Sequence, residues 1–434
     1  MRDKILHFLK HPFILNTNWL VAERVFQMAI SLVVGLWVAR YLGPSDYGII
    51  NYVAAFISFA LPICSLGLEG VLVKRFVDTP QDTGKIIGTA VLFEFVTAVI
   101  LSIAICVVVN LTNAGDKVKT AVAFWSSINL LFKSFEVIEF WYQSKLRSKI
   151  SSIVKMIGYL CMSAYRVILL LLGKSVVWFA FATSLDAIII AVLLLVLYRK
   201  HSAQRMQIDW DCGLGMLKES YHFILSGLMV VIYSQMDKIM IQYMLDDAQV
   251  GLYSAAYAIC NLWLFIPGAL IKSAQPIIMK HKNQNEELYL LRLKQLYAGI
   301  FVLGIGVSLF VSVLAKPIIA LLYGAAYAGA AVPLAIGIWY GTFAQLGSAR
   351  GIWILCEKKN RFTKYYVAWG AVVNLILNWF FIRAWGIEGA AIATLITQIF
   401  VSFFAPLFFK ETREHTRILW NAVTFTWLKK EKKI

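Results

Sequence analysis

The chain has 434 residues, of which 60% are hydrophobic and only 15% are charged, and its mean hydropathy is +0.72. A soluble domain is nearer half apolar and a quarter charged, so the composition excludes a soluble globular protein and predicts a polytopic membrane protein. The formal charge of +17 does not indicate nucleic-acid binding, because the topology of the loops accounts for it. The six cysteines are dispersed without a CxxC pair, which predicts neither a disulfide framework nor a metal site.

Apolar runs of about 20 residues, the length that crosses roughly 30 Å of hydrocarbon, recur along the whole chain. They predict twelve membrane-spanning helices, and no stretch between them is long enough for a separate soluble domain. The predicted spans are 17–40, 47–68, 86–109, 118–140, 150–172, 175–198, 219–243, 250–271, 297–315, 330–355, 362–382 and 386–408.

The first predicted helix carries the charged pair Glu23 and Arg24 and is followed by a tight turn at Gly43. The seventh predicted helix carries Asp237 and Lys238. Charges at membrane depth are costly wherever they meet lipid, so these side chains should face protein or a water-filled cavity. Two charged opening helices therefore predict two lobes that face each other across a polar space.

Lysine and arginine are distributed unevenly between the predicted loops. With both termini placed in the cytoplasm, six of the 41 basic residues fall in outer loops, and most of the others fall in inner segments. This asymmetry predicts the cytoplasmic location of the N-terminal Arg2, Lys4 and Lys10 and of the C-terminal tail. The outer basic residues are Arg40, Lys117, Lys119, Lys174, Lys316 and Arg383.

The two halves of the chain resemble each other when Gly48 is aligned with Gly251. Six spans in each half is an even number, so both halves enter the membrane from the same side. The predicted fold is therefore an all-α membrane protein with two six-helix lobes, related by a pseudo-two-fold axis along the membrane normal. We expect an N-terminal lobe over 1–205 and a C-terminal lobe over 206–434. The second lobe should end in a basic amphipathic tail that lies on anionic headgroups.

Polar and aromatic residues share helix faces in several of the predicted spans. Aromatic faces suit sugar rings, and arginine or lysine suits a pyrophosphate or an acidic sugar. The residues that we expect to line a substrate cavity are Arg24, Lys133, Arg166, Lys238, Arg350, Asn129, Trp125, Tyr159 and Trp339.

Three acidic side chains, Glu23, Asp237 and Glu136, are candidates for ion coupling, because buried carboxylates can exchange protons during transport. The alternative is structural, because acidic and basic residues occur in similar numbers within the spans and can pair. Lys133 and Glu136, three residues apart, can form such a pair. For Glu94 and Asp186, each isolated in its helix, structural pairing is favoured at least as strongly.

The opening helix ends in Val38–Pro44 and is followed by Asp46-Tyr47-Gly48, and the fourth span ends in the basic stretch Trp141–Lys145. In these motifs, its length and its number of spans, the chain resembles Wzx-type polysaccharide flippases. These proteins belong to the multidrug/oligosaccharidyl-lipid/polysaccharide (MOP) exporter superfamily. The resemblance covers essentially the whole chain.

This resemblance implies a MATE-like protein of the bacterial inner membrane, which flips an undecaprenyl-pyrophosphate-linked oligosaccharide repeat unit of O-antigen or capsule to the periplasmic leaflet. It implies alternating access coupled to a proton or sodium gradient, without enzymatic activity and without a cofactor. The implied partners are membrane lipids, an O-antigen polymerase and a chain-length regulator. A cationic cavity, as in such flippases, would map by position onto Arg24, Lys133, Arg166, Lys238 and Arg350.

Two other functions remain open from the sequence. A cation-coupled drug antiporter on the same fold would use an acidic cation site and needs no room for a sugar chain. A membrane glycosyltransferase or polymerase is disfavoured, because the sequence predicts no long outer loop that would hold catalytic acids.

Overall fold

The computed structural model describes residues 12–202, 204–282 and 284–427. The predicted basic ends, Arg2, Lys4 and Lys10 with Lys429 and Lys430, lie outside these residues. The described residues form helices and no strand, which confirms the all-α class. The α-helices are α1 Pro12–Cys64, α2 Glu69–Asp78, α3 Thr83–Thr112, α4 Lys117–Lys133, α5 Val137–Ser144, α6 Ser148–Leu171, α7 Val176–His201, α8 Trp210–Met244, α9 Asp247–Trp263, α10 Phe265–Lys282, α11 Glu286–Val313, α12 Ala315–Leu322, α13 Ala331–Cys356, α14 Thr363–Ile399 and α15 Arg413–Val423.

Two of these helices are interrupted by a glycine with a left-handed backbone. In α1 the break lies at Gly43, with φ 70° and ψ 173°, where the sequence predicts a turn. In α14 it lies at Gly386, with φ 60° and ψ −138°. A positive φ is easily adopted only by glycine, so the glycine at each of these positions accounts for the break.

Ten helical segments within the described residues are long and apolar enough to cross a membrane. The longest, Asn18–Asp78 with 61 residues and Asn360–Phe408 with 49, contain the breaks at Gly43 and Gly386. A straight helix of 61 residues would measure about 90 Å, three times the hydrocarbon thickness, so the break is needed for the chain to turn back. The multi-pass prediction is confirmed, and the number of twelve spans stays a prediction.

The chain divides into two compact units. Unit 1 comprises Met1–Leu42 and Ile49–Val231, and unit 2 comprises Gly43–Gly48 and Ile232–Ile434. The helix α8 contributes its N-terminal part to unit 1 and its C-terminal part to unit 2. The lobe boundary predicted after residue 205 stays a prediction.

In unit 1, α4 packs against α3 and α7, and α6 packs against α7. The segment before α8 is fixed to α3 by backbone hydrogen bonds. The N–H of Gln207 donates to the carbonyl oxygen of Gly84 at 3.0 Å, and the N–H of Asp209 donates to Oγ1 of Thr89 at 2.9 Å. A Cβ atom on Gly88 would overlap the carbonyl oxygen of Gln207, so the close approach requires glycine there. This segment therefore packs as part of unit 1.

Asp209 caps the start of α8. Its Oδ1 accepts the N–H of Cys212 at 3.0 Å, and its Oδ2 lies 3.4 Å from Nζ of Lys85. The hydrogen bond from Cys212, supported by Lys85, lowers the pKa of the Asp209 carboxyl below its usual value. An ion pair of 2.6 Å between Arg75 of α2 and Glu219 of α8 adds a second attachment.

In unit 2, α13 packs against α9, α11 and α14. The glycines aligned by the internal repeat, Gly48 and Gly251, contact each other within this unit. A Cβ on Gly48 would overlap the carbonyl oxygen of Asp247, and one on Gly251 would overlap the carbonyl oxygen of Pro44. The two aligned segments therefore pack backbone against backbone.

The C-terminal helix α15 is amphipathic, as the sequence predicts for the tail. It buries His415, Ile418 and Leu419 and exposes Arg417 and Trp420. The helix ends at Val423, and the end of the predicted tail lies outside the described residues.

Candidate functional site

A short ion pair joins two helices in the interior of unit 1. Nζ of Lys155 on α6 lies 2.5 Å from Oε2 of Glu139 on α5, and both side chains are largely buried. Glu23 on α1 is 8% exposed, and its charge acts on both partners. The coupling candidate Glu23 thus lies beside an ion pair whose members were not among the predicted site residues.

A second pair, Lys133 and Glu136, has a looser geometry. Nζ of Lys133 lies 3.9 Å from Oε2 of Glu136, and about a third of each side chain is exposed. Charged groups in direct hydrogen-bonded ion pairs approach to about 2.7–2.9 Å, so this pair holds its lysine weakly. The predicted pairing is present, and both side chains remain available to solvent.

These two residues line a cavity of about 420 Å³ in unit 1. Its other charged residues are Glu69 and Glu94, so the lining contains three carboxylates and one lysine. The rest is mainly apolar and includes Pro62 on α1 and Phe223 on α8. The charge of this cavity is therefore acidic, whereas the resemblance implies a cationic one.

Four further predicted or isolated residues lie near one another on α1, α6 and α7. The charges of Arg24 and Asp186 both act on Tyr159, and Arg166 acts on Asp186. Nη1 of Arg24 also donates to Oε1 of Gln27 at 3.2 Å. A Cβ on Gly158 of α6 would lie 2.8 Å from Oδ1 of Asp186, which shows how closely α6 and α7 approach.

Asn129 and Trp125 connect α4 with α7. Nδ2 of Asn129 donates to the carbonyl oxygen of Thr183 at 2.7 Å, and the hydroxyl of Ser184 donates to the carbonyl oxygen of Trp125. The indole of Trp125 is 37% exposed and meets the ring of Phe181 edge to face. Asn129 is committed to helix packing, whereas Trp125 retains a free aromatic surface.

In unit 2, Asp237 lies in a buried polar cluster. Its carboxylate is 5% exposed and accepts the hydroxyl of Tyr253 on α9. Its Oδ1 accepts the backbone N–H of Lys238 at 3.0 Å. Asp237 therefore joins α8 and α9, and the side chain of Lys238 is partly exposed next to it.

Arg350 on α13 lies at a different place in unit 2 and is 6% exposed. Its Nη1 donates to the carbonyl oxygen of Val401 at 2.7 Å, and its guanidinium lies 4.3 Å from the ring centre of Tyr366. Val401 belongs to the π-helical turn Phe400–Phe404. Trp339, on the same helix, donates from Nε1 to Oγ of Ser312 at 2.9 Å.

The predicted residues thus fall into separate groups. In unit 1, the charge of Glu136 acts on Lys155, Tyr159 and Asp186, so these side chains lie within electrostatic range of the Lys133–Glu136 pair. In unit 2 the predicted residues do not share partners. Asp237 and Lys238 lie together beside Tyr253, Arg350 contacts Val401 and Tyr366, and Trp339 contacts Ser312. Sequence reasoning missed Glu139 and Lys155 as a pair, although Lys155 lies on the polar stripe of the fifth predicted span. For Glu94, isolated in its apolar helix, the sequence favoured structural pairing at least as strongly as a functional role, and within the described residues the structure shows no ion pair for its carboxylate.

The chain matches the family described as "Polysaccharide biosynthesis protein" over residues 13–282, more than half of its length. The chain belongs to this family. It is also 21% identical over 417 residues to a Salmonella typhi protein named "Putative O-antigen transporter", covering 89% of this chain and 92% of that protein. The predicted relationship to polysaccharide exporters is therefore confirmed.

Solved structures show the same fold at low sequence identity. A structure of the lipid II flippase MurJ in an inward closed conformation has a TM-score of 0.70 at 14% identity, covering 97% of this chain and 93% of that chain. An inward-facing MATE family multidrug transporter of the MOP superfamily has a TM-score of 0.68 at 14% identity, covering 91% and 96%. The predicted MATE-like fold is confirmed.

Proposed function

We propose that this protein is a flippase for undecaprenyl-pyrophosphate-linked oligosaccharide repeat units of O-antigen or capsule. It would move the headgroup from the cytoplasmic to the periplasmic leaflet of the bacterial inner membrane, with both termini cytoplasmic. The observation that carries the proposal is membership of the polysaccharide biosynthesis protein family, supported by the similarity to the Salmonella typhi protein along nearly the whole chain.

The proposed mechanism is alternating access, driven by an ion gradient, between a lobe over 1–205 and a lobe over 206–434. The charged network of unit 1 supports it, because ionisable side chains at membrane depth are rare and mark substrate or ion pathways. In this mechanism Lys133 and Arg166 would contact the phosphates, Trp125 and Tyr159 would contact sugar rings, and Glu23, Glu136 and Asp237 would be candidates for ion exchange. The lipid tail would stay in the bilayer, so no exposure of the tail to water opposes the movement.

Export would depend on partners that use the flipped unit, for which a polymerase and a chain-length regulator of O-antigen or capsule assembly are the expected classes. The headgroup would be transferred without a change in covalent structure. The protein would act as a transporter and not as a glycosyltransferase.

The test is a deletion strain complemented with the wild-type gene or with an empty vector. Surface polysaccharide should disappear with the vector and return with the gene, while lipid-linked repeat units accumulate in the cytoplasmic leaflet of the deletion strain. Unchanged surface polysaccharide in the deletion strain would contradict the proposal. Glycosyl transfer by the purified protein would also contradict it and would favour the enzymatic alternative.

One observation favours a second candidate, a cation-coupled drug antiporter. The unit 1 cavity contains three carboxylates and one lysine, which suits a cation better than a pyrophosphate. The same two strains distinguish the candidates. Loss of resistance to cationic drugs with normal surface polysaccharide supports the antiporter, and the reverse supports the flippase.

A further inference from the structure

The acidic cavity of unit 1 contains one carboxylate whose surroundings differ from those of the others. Glu94 on α3 lines the cavity, yet its side chain is only 6% exposed. Within the part of the chain that the structure describes, this carboxylate has neither a hydrogen bond nor an ion pair. By contrast, Glu139, whose side chain is 14% exposed, is paired with Lys155 at 2.5 Å.

The charges that act on Glu94 come from the elements packed around it. Glu69 on α2 and Glu136, in the turn after α4, are both of like sign. Cys64 at the end of α1 lies alongside, with its Sγ 3.7 Å from the carbonyl oxygen of Glu94. Lys133, the lysine of this cavity, acts on the same cysteine and lies with Glu136, and it is not among the charges that act on Glu94. From α8 the cavity receives only Phe223 and Gly227.

A buried carboxylate without a cation or donor is costly, and proteins relieve this cost by protonating the group. A proton binds to a single carboxylate without further ligands. We propose that Glu94 is a proton-exchange site, which takes up and releases its proton through the cavity of unit 1.

The loose pair beside it gives this exchange a structural consequence. When Glu94 releases its proton to cavity water, the new carboxylate competes with Glu136 for the ammonium of Lys133. When Glu94 takes the proton back, Lys133 returns to Glu136. Because the Lys133–Glu136 distance is already 3.9 Å, little attraction has to be broken for this change of partner. The proton exchange at Glu94 does not depend on the proposed function, whereas its link to polysaccharide export does.

The first experiment measures the site itself, on the purified full-length protein in lipid nanodiscs. Dicyclohexylcarbodiimide reacts with protonated carboxyls in apolar surroundings and leaves a stable acylurea, which peptide mass spectrometry can locate. We expect the adduct on Glu94 at pH 6 and at least a tenfold weaker signal at pH 9. Glu139 is the matched internal control and should stay unmodified, because its carboxylate is engaged by Nζ of Lys155 at 2.5 Å.

The wild-type protein is sufficient for this measurement, so it does not depend on how well a variant folds. Absence of a Glu94 adduct at every pH would overturn the proposal, and so would equal labelling of Glu94 and Glu139. The variant Glu94→Gln should lose the adduct at this position alone.

The second experiment tests the link to export in the complemented deletion strain. Glu94→Gln should reduce surface polysaccharide at least tenfold, and Glu287→Gln, at an exposed carboxylate of α11, should leave it unchanged. A labelled Glu94 with full export by Glu94→Gln would overturn the link to export and leave the exchange site standing. A deletion strain with normal polysaccharide would instead overturn the proposed function and leave the labelling result intact.

Discussion

Replacing Arg350 by alanine should destabilise the protein, because this arginine is built into the interior of unit 2. The guanidinium donates to the carbonyl oxygen of Val401 at 2.7 Å and lies 4.3 Å from the ring centre of Tyr366. A hydrogen bond from a charged group contributes about 1.5–3 kcal/mol. A desolvated cation–π contact contributes about 1–2 kcal/mol. Together these contacts amount to about 3–5 kcal/mol.

Part of this loss of stability is offset, because the variant no longer buries a charged guanidinium. We therefore expect Arg350→Ala to lower the free energy of unfolding by about 2–4 kcal/mol, after subtracting the desolvation penalty of the guanidinium. The carbonyl of Val401, which lies in a π-helical turn, would lose this donor. For a chain of this length the corresponding decrease in the unfolding midpoint is about 2–5 °C.

The assay is thermal unfolding of the detergent-purified protein, followed by tryptophan fluorescence and by the monodisperse fraction after heating. Arg361→Ala is the matched control, because this arginine of the same unit is 70% exposed in its pair with Glu411. Exposed pairs contribute about 0–1 kcal/mol, so the control should unfold as the wild type does. A wild-type midpoint for Arg350→Ala together with lost export would refute this reasoning and place Arg350 on the substrate path.

Three more changes test other parts of the structure. Lys133→Ala should lower the free energy of unfolding by less than about 1 kcal/mol, because its ion pair is loose and exposed. Surface polysaccharide should nevertheless be lost, and normal polysaccharide would remove Lys133 from the proposed substrate path. Gly48→Ala should lower the free energy of unfolding by about 1–3 kcal/mol through overpacking, since its Cβ would overlap the carbonyl oxygen of Asp247. Its midpoint of thermal unfolding should lie below that of Gly35→Ala, where the space is open. Equal midpoints would contradict the contact. Burial holds the pKa of His415 well below its usual range, so the unfolded chain binds a proton near pH 6.5 that the folded chain does not. The free energy of unfolding should therefore fall as the pH drops from 7.5 to 5.5. The same fall in His415→Gln would contradict this assignment.

The fold was largely predictable because membrane helices are specified by local sequence. Hydropathy identifies the spans, and the break in α1 coincides with Gly43, where the sequence has a glycine followed by a proline. The repeat alignment paired Gly48 with Gly251, and the structure packs these two glycines against each other. The lack of side chains at both glycines allows the two backbones to approach closely, so this contact was recognisable from the aligned glycines in the sequence.

The site was less predictable, because helix periodicity shows which residues share a face but not which helix lies opposite. The stripe on α6 includes Lys155, yet its partner Glu139 lies on a different element and could not be assigned. The position of Arg350 depends on its hydrogen bond to the carbonyl of Val401, which lies in a π-helical turn. No residue pattern in the sequence marks that turn, so a cavity-lining role was the natural expectation for an arginine at membrane depth.

The geometry of the charged pairs separates functional candidates better than the presence of charge does. The pair of Lys155 and Glu139 is short and buried, so removing one partner would strand the other, and both are constrained to stay together. The pair of Lys133 and Glu136 is long and partly exposed, so either side chain can change partner at little cost. A transport cycle requires groups that exchange partners as cargo and ions bind. The loose pair at the acidic cavity meets this requirement, and the tight pair beside it supplies the rigid frame against which the exchange can occur.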